Sequence, residues 1–189
     1  MSGTSFSFDI PDWVAAINAT DVVLPSDDER MMFVVDASRR NAENGGGPFA
    51  AGIFETATGK LIALGVNLVV PQSCCILHGE MVAIMLAQQK LSCYDFSQCG
   101  MKLELVSSTE PCAMCYGAVP WSGVKRLVCA ASEADARKAG FDEGSKLADW
   151  IGALNSRDIN VTTGICRDHA ARVLQDYHEG GGEIYNGRR

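Results

Sequence analysis

The chain has 189 residues, 47% of them hydrophobic and 21% charged, which suits one globular domain with its own core and excludes an intrinsically disordered chain. A net charge of -7 and a sequence pI of about 4.9 repel polyanions, and the cations are scattered, with only short pairs such as Arg39-Arg40, Lys125-Arg126 and Arg188-Arg189. No long nucleic acid is therefore expected as a partner.

Met1 to Trp13 lacks a basic start followed by an apolar core, so it reads as a short, partly ordered arm and not as a secretory leader. Ser26-Asp27-Asp28-Glu29 then caps a predicted helix with Met32, Val34, Val35 and Ala37 on its apolar positions, and Asn44-Gly45-Gly46-Gly47-Pro48 ends it. Phe49 to Glu55 and Leu61 to Val70 read as two strands of a hairpin turned at Thr56-Ala57-Thr58-Gly59. The second stretch is the longest apolar one; interrupted by Gly65 and Asn67, it is far too short to span a bilayer.

His78 to Gln89 is apolar nearly all round, as in a helix buried between layers, with His78 and Glu80 in its first turn. Met101 to Ser107 is a predicted strand, and Pro111 suits the first turn of a second helix, a turn that also holds Cys112 and Cys115. Lys125 to Ala131 follows as a strand, Glu133 to Lys138 as a short helix, Gly140 to Lys146 as a loop, Ile159 to Gly164 as a β-rich stretch and Arg167 to Tyr177 as a helix. Glu183 to Asn186 is expected to add a short final strand. This alternation predicts a three-layer α/β/α sandwich around a mixed sheet of about five strands. The domain expected is single, residues 1–189, with an N-terminal arm over about 1–25 and a C-terminal extension over about 150–189.

His78-Gly79-Glu80 followed by Pro111-Cys112-Ala113-Met114-Cys115 carries the chemistry. One imidazole and two thiolates supply three ligands of a tetrahedral zinc ion and leave the fourth position for water, the catalytic arrangement. Helix N-termini favour thiolates, so both cysteines stand where deprotonation is easiest. Zinc lowers the pKa of bound water from 15.7 to about 7, which makes hydroxide available at neutral pH. Glu80, close to that water without ligating the metal, is expected to shuttle protons, as in the zinc-deaminase pattern His-x-Glu with Pro-Cys-x-x-Cys.

From Gly47-Pro48-Phe49-Ala50 through Lys125-Arg126-Leu127-Val128 the sequence resembles the cytidine deaminase-like superfamily, on its guanine deaminase and tRNA adenosine deaminase side. Gly65-Val66-Asn67, Ser108-Thr109-Glu110 ahead of the cysteine motif, and Gly140-Phe141-Asp142-Glu143 also carry the resemblance; the last is shared with small bacterial zinc-dependent guanine deaminases. The likeness implies deamination of guanine to xanthine and ammonia, aminated triazines as side substrates, and a homodimer. Another small base or nucleoside is the alternative, with a tRNA-editing enzyme or a noncatalytic zinc module behind it. It further implies that Glu143 helps move protons, that Asn67 hydrogen-bonds the purine, that Phe49 packs on its ring and that backbone groups near Ala113 assist. Departures are the glycine at position 79 and a tail from Trp150 that is longer than the minimal fold, ending Ile184-Tyr185-Asn186; such a tail closes over the pocket or packs on a second subunit.

The remaining residues take plainer readings. Cys74, Cys75, Cys93, Cys99, Cys129 and Cys166 show no second ligand spacing and are expected as small apolar side chains of a protein in the reducing cytoplasm. His169 and His178 belong to a helix and its end, and Trp121 is expected to pack between strand and helix.

Overall fold

The computed structural model describes residues 7–187, so residues 1–6 of the arm and the Arg188-Arg189 pair lie outside the described residues. Seven α-helices and five strands follow in the order α1 (Asp12–Asn18), α2 (Asp27–Glu43), β1 (Ala50–Glu55), β2 (Leu61–Val66), α3 (Gly79–Leu91), β3 (Leu103–Thr109), α4 (Ala113–Ser122), β4 (Arg126–Ala131), α5 (Glu133–Lys138), α6 (Trp150–Asn155), β5 (Asn160–Thr162) and α7 (Arg167–Glu179). The sheet order is β2-β1-β3-β4-β5; β1 runs antiparallel to β2 and β3, whereas β3, β4 and β5 are parallel. The sheet is thus mixed and five-stranded, as the alternation of elements predicts.

Alternate residues of the central strands face opposite layers, as the two-residue period of a strand requires. Phe54, Val106, Val128 and Ala130 join a core with Val34 and Val35 of α2 and Val173 and Leu174 of α7. Ile53, Leu105, Leu127 and Cys129 join the other, with Ala83 and Ile84 of α3, Val119 of α4 and Leu154 of α6. Capping decides where the helices start: Ser26 and Glu29 form a reciprocal box at α2, Ser132 and Asp135 another at α5. Gly65 lets α3 lie directly on β2, since a Cβ there would stand 2.5 Å from the Gly79 carbonyl oxygen and closer still to the Ala83 nitrogen.

At the starts of β3 and β4, the end away from the site, an ion network closes the sheet. Fully buried Glu104 accepts from Arg126 Nη1 at 2.9 Å and faces Arg30 Nε at 3.1 Å, and both arginines reach Asp27 at the head of α2. Along the edge strand β2, Asn18 both donates to the Leu64 carbonyl at 3.0 Å and accepts from the Leu64 N–H at 2.7 Å, blunting the free edge.

The N-terminal arm contains α1, packed on β2, and the C-terminal extension contains α6, capped by Asp149, which accepts from Gly152 N–H at 2.9 Å. Several other expectations are corrected. β2 stops at Val66, not Val70, because the Asn67 side chain turns the chain by accepting from Val69 N–H at 3.2 Å. Pro111 precedes the N-cap Cys112 instead of lying in the first turn. Glu183 to Asn186 forms no strand: Asn186 bonds the loop after α5, accepting from Asp142 N–H at 2.8 Å and donating to the Gly140 carbonyl at 2.9 Å. Cys93 and Cys99 are joined as a disulfide rather than free. Trp121 does not pack inside; it is 86% exposed. Among the described residues no helix is long and apolar enough to cross a membrane.

Candidate active site

The topology sends five chain segments to one end of the sheet. Because β1 is antiparallel to its neighbours, Phe49, the residue just before it, meets the C-terminal ends of β2, β3 and β4, where Asn67, Cys112 and, beyond α5, Glu143 emerge. The N-termini of α3 and α4 point to the same end, and ligand sites of α/β sheets commonly lie outside strand carboxyl ends.

His78 and Cys112 occupy the N-cap positions of α3 and α4, yet neither side chain caps its helix. Both are turned instead toward Cys115, one turn into α4. The ligand atoms of His78, Cys112 and Cys115 lie within 4.8 Å of one another, with His78 Nδ1 3.5 Å from Cys112 Sγ and 3.6 Å from Cys115 Sγ. Tetrahedral zinc bonded at about 2.3 Å to sulfur and 2.0–2.1 Å to nitrogen would set those separations near 3.5 Å. The triad therefore fits the ion predicted from the motif. Among the described residues no fourth potential ligand joins the cluster, which leaves one coordination place open.

The electrostatics of the free triad favour one thiolate. The hydrogen bond from Cys115, with His78 adding to it against burial, draws the Cys112 thiol down to about 4, while that pairing and burial push Cys115 well up. A bound cation deprotonates both. Glu80, in the first turn of α3, is 7% exposed; burial raises its carboxyl above the ordinary range, and the Cys112 charge adds to this. Burial likewise pushes Glu143 up to about 8, with Cys112 and Glu80 contributing.

Beside the triad lies a cavity of about 170 Å³ whose wall includes Phe49, Asn67, His78, Glu80 and Glu143. It is smaller than the roughly 300–1,000 Å³ typical of drug-sized ligands, and suits one flat ring system. Phe49 stands edge-on to Phe141 with centroids 4.8 Å apart. Asn67 Oδ1 is engaged by Val69 N–H, which turns its amide nitrogen to the cavity side. Ala113 is not in the wall, and its N–H is donated to the Glu143 carbonyl at 2.8 Å, so in the free chain it serves the Glu143 loop.

Sequence reasoning missed Phe141, Asp142, Tyr185 and Asn186 as wall residues. The tail does close over the cavity of its own chain, so that Tyr185 lies 5.4 Å from Phe141 and 6.5 Å from His78 by ring centroids, its hydroxyl buried without a partner. Gly47 makes room for it: a Cβ there would overlap that hydroxyl and stand 2.8 Å from Asn67 Oδ1. The signal for Tyr185 was the resemblance of the tail, since no local pattern announces so remote a contact.

Residues 25–131 match the model of the cytidine and deoxycytidylate deaminase zinc-binding region, more than half of the chain. The chain belongs to this deaminase family. The guanine deaminase of Bacillus subtilis (strain 168) is 40% identical over 98 residues, which cover 52% of this chain and 59% of that relative's length. Among family members of known structure, the guanine deaminase of Nitrosomonas europaea is 44% identical with a TM-score of 0.91, covering 93% of this chain and 97% of that one. A mutant of that bacterial deaminase in complex with 8-azaguanine is 46% identical with a TM-score of 0.88, over 90% of this chain and 94% of that one.

Proposed function

We propose that this deaminase hydrolyses guanine to xanthine and ammonia. The observation that carries the reading is a cavity sized for a single base, roofed by aromatic rings, in which two buried carboxyls flank the metal triad. The likeness to the Nitrosomonas europaea guanine deaminase over nearly the whole chain supports guanine over other bases.

Zinc held by His78, Cys112 and Cys115 supplies the Lewis acidity that makes water nucleophilic at neutral pH. Phe49 and Phe141 flank the purine and exclude water, and the Asn67 amide nitrogen donates to a ring or carbonyl acceptor of the base. Glu80 takes a proton from the attacking water and delivers it to the ring nitrogen beside the carbon that bears the amine. Glu143, raised toward neutrality by burial, passes the second proton of that water to the departing amine as the new carbonyl forms, so that water and guanine become xanthine and ammonia. The Tyr185 hydroxyl, orphaned in the free protein, donates to the bound base.

The reading extends to a homodimer in the cytoplasm. Met114, Gly117, Ala118 and Trp121 recur along α4 at positions i, i+3, i+4 and i+7, an apolar stripe facing solvent, with no charged residue in the helix. Two copies of a chain of net charge -7 repel except through such a neutral face. The cytoplasmic assignment rests on six free cysteines, two of them metal ligands that oxidation would consume, and is opposed by the Cys93–Cys99 disulfide.

Ammonia release from guanine, guanosine, cytosine, adenine and aminotriazines, measured alongside zinc content, tests the proposal. Guanine is expected to turn over fastest with one zinc per chain; rapid turnover of another member with guanine inert would refute the substrate.

A further inference from the structure

We infer that Glu133, Arg137 and Lys146 form a bracket that holds the Glu143 loop in register with the metal-binding end of α4. Lys146 is the unusual member. Its side chain is only 3% exposed, although it sits in a loop, and an ammonium is buried at large cost unless it is paired. It donates to the Pro111 carbonyl at 2.7 Å, lies 2.9 Å from Glu133 Oε2, and stands 4.9 Å over the Trp150 ring. Pro111 is the residue before the ligand Cys112.

Glu133 uses its other oxygen as well. Arg137 Nε donates to Glu133 Oε1 at 2.7 Å, and Arg137 Nη2 donates to the Gly144 carbonyl at 2.8 Å. One carboxylate thus anchors two cations, one gripping the loop just past Glu143, the other tying the end of that loop to the approach to Cys112. Between them the Glu143 carbonyl accepts from Ala113 N–H. A packed leucine at position 146 would fill the space; it would not fix the spacing between carboxyl and metal. The three residues are positioning residues, since none of them lines the cavity.

The inference rests on the proton-carrying role proposed for Glu143, and a double-mutant cycle separates the two. Guanine turnover, zinc content and melting temperature are measured for Arg137→Ala, Lys146→Met, Glu143→Gln and the two doubles. Arg137 is largely solvated, so its variant folds even if burial makes Lys146→Met unstable.

Each single bracket variant is expected to lower kcat about tenfold or more, because small displacements of an acting group are that costly, with zinc stoichiometric and KM little changed. On the Glu143→Gln background, which retains a measurable residual rate after a loss of about 10²–10⁴, neither change lowers kcat further. The bracket is overturned if both variants keep wild-type kcat, or if their losses repeat in full beside Glu143→Gln. Should Glu143→Gln alone turn over at the wild-type rate, the role of Glu143 falls and the bracket falls with it, an outcome read from that variant by itself.

Discussion

Replacing Tyr185 by phenylalanine should move stability and affinity in opposite directions. The hydroxyl is buried in the cavity wall without a hydrogen-bond partner, and a polar group left in that state costs about 1–3 kcal/mol. Tyr185→Phe removes the oxygen and leaves the ring contacts with Phe141 and His78 in place. For a chain of this length 1 kcal/mol moves Tm by about 2–4 °C, so the free variant should melt roughly 2–12 °C higher.

In the proposed complex guanine supplies the partner that the hydroxyl lacks, and the interaction gained on binding is of the same order as the relief. Losing about 1–3 kcal/mol from the complex raises KM by roughly 5–150-fold. Because the hydroxyl is not asked to move a proton, kcat should stay close to wild type. Thermal unfolding of the free protein and steady-state ammonia release read the two effects separately. A variant that melts lower and binds guanine as tightly as before would show that the hydroxyl serves the fold, and would remove Tyr185 from the ligand site.

Glu80→Gln keeps the shape of the side chain while abolishing its basicity; turnover should fall about a hundredfold or more, with zinc retained by metal analysis, and an unimpaired variant would dismiss Glu80 as the proton carrier. Hydrogen bonds from Arg126, and then from Arg30, hold Asp27 down to about 2 against burial, below its ordinary 3.8. A depressed carboxyl stabilises above its unfolded pKa and loses that contribution as pH falls through the folded one, here between about pH 4 and 2; with part of the side chain solvated the share is about 1–2 kcal/mol. Arg126→Met should flatten that acid limb in urea titrations, and an unchanged limb would mean that the ion network does not set it. Trp121→Glu places a charge on the apolar stripe of α4 and should convert a dimer to a monomer in light scattering; a wild-type chain already at monomer mass would end the dimer reading.

What was legible in the sequence is what is encoded locally. Ser26 and Glu29 stand three residues apart and mark the start of α2; Pro111-Cys112-Ala113-Met114-Cys115 after a strand marks both a helix and a ligand pair. The hairpin follows from two apolar runs around Thr56-Ala57-Thr58-Gly59. Contacts between remote segments leave no such trace. Asn186 meets Asp142 and Gly140 across 44 and 46 residues, so its run of residues reads as a strand by composition while its bonds are spent on a loop. Trp121 was misplaced for a related reason: an apolar helix announces burial on all sides, but not which side the fold leaves to solvent.

Several departures from good local design meet at the site end of the sheet, and they are informative. α2, α5 and α6 begin with side-chain caps, whereas α1, α3, α4 and α7 do not; at α3 and α4 the N-cap side chains, His78 and Cys112, are given to the ligand cluster instead, and a missing cap costs about 1 kcal/mol. The same few ångströms hold two buried carboxyls and an orphaned phenol hydroxyl. At the opposite end Glu104 is buried as well, but there it is paired to two arginines. Local rules are broken where a metal and a base would repair them: the cation by taking up the imidazole and sulfurs, the purine by giving the amide of Asn67 and the hydroxyl of Tyr185 something to bond. Occupancy should therefore stabilise the fold as well as enable the reaction, through the same few side chains.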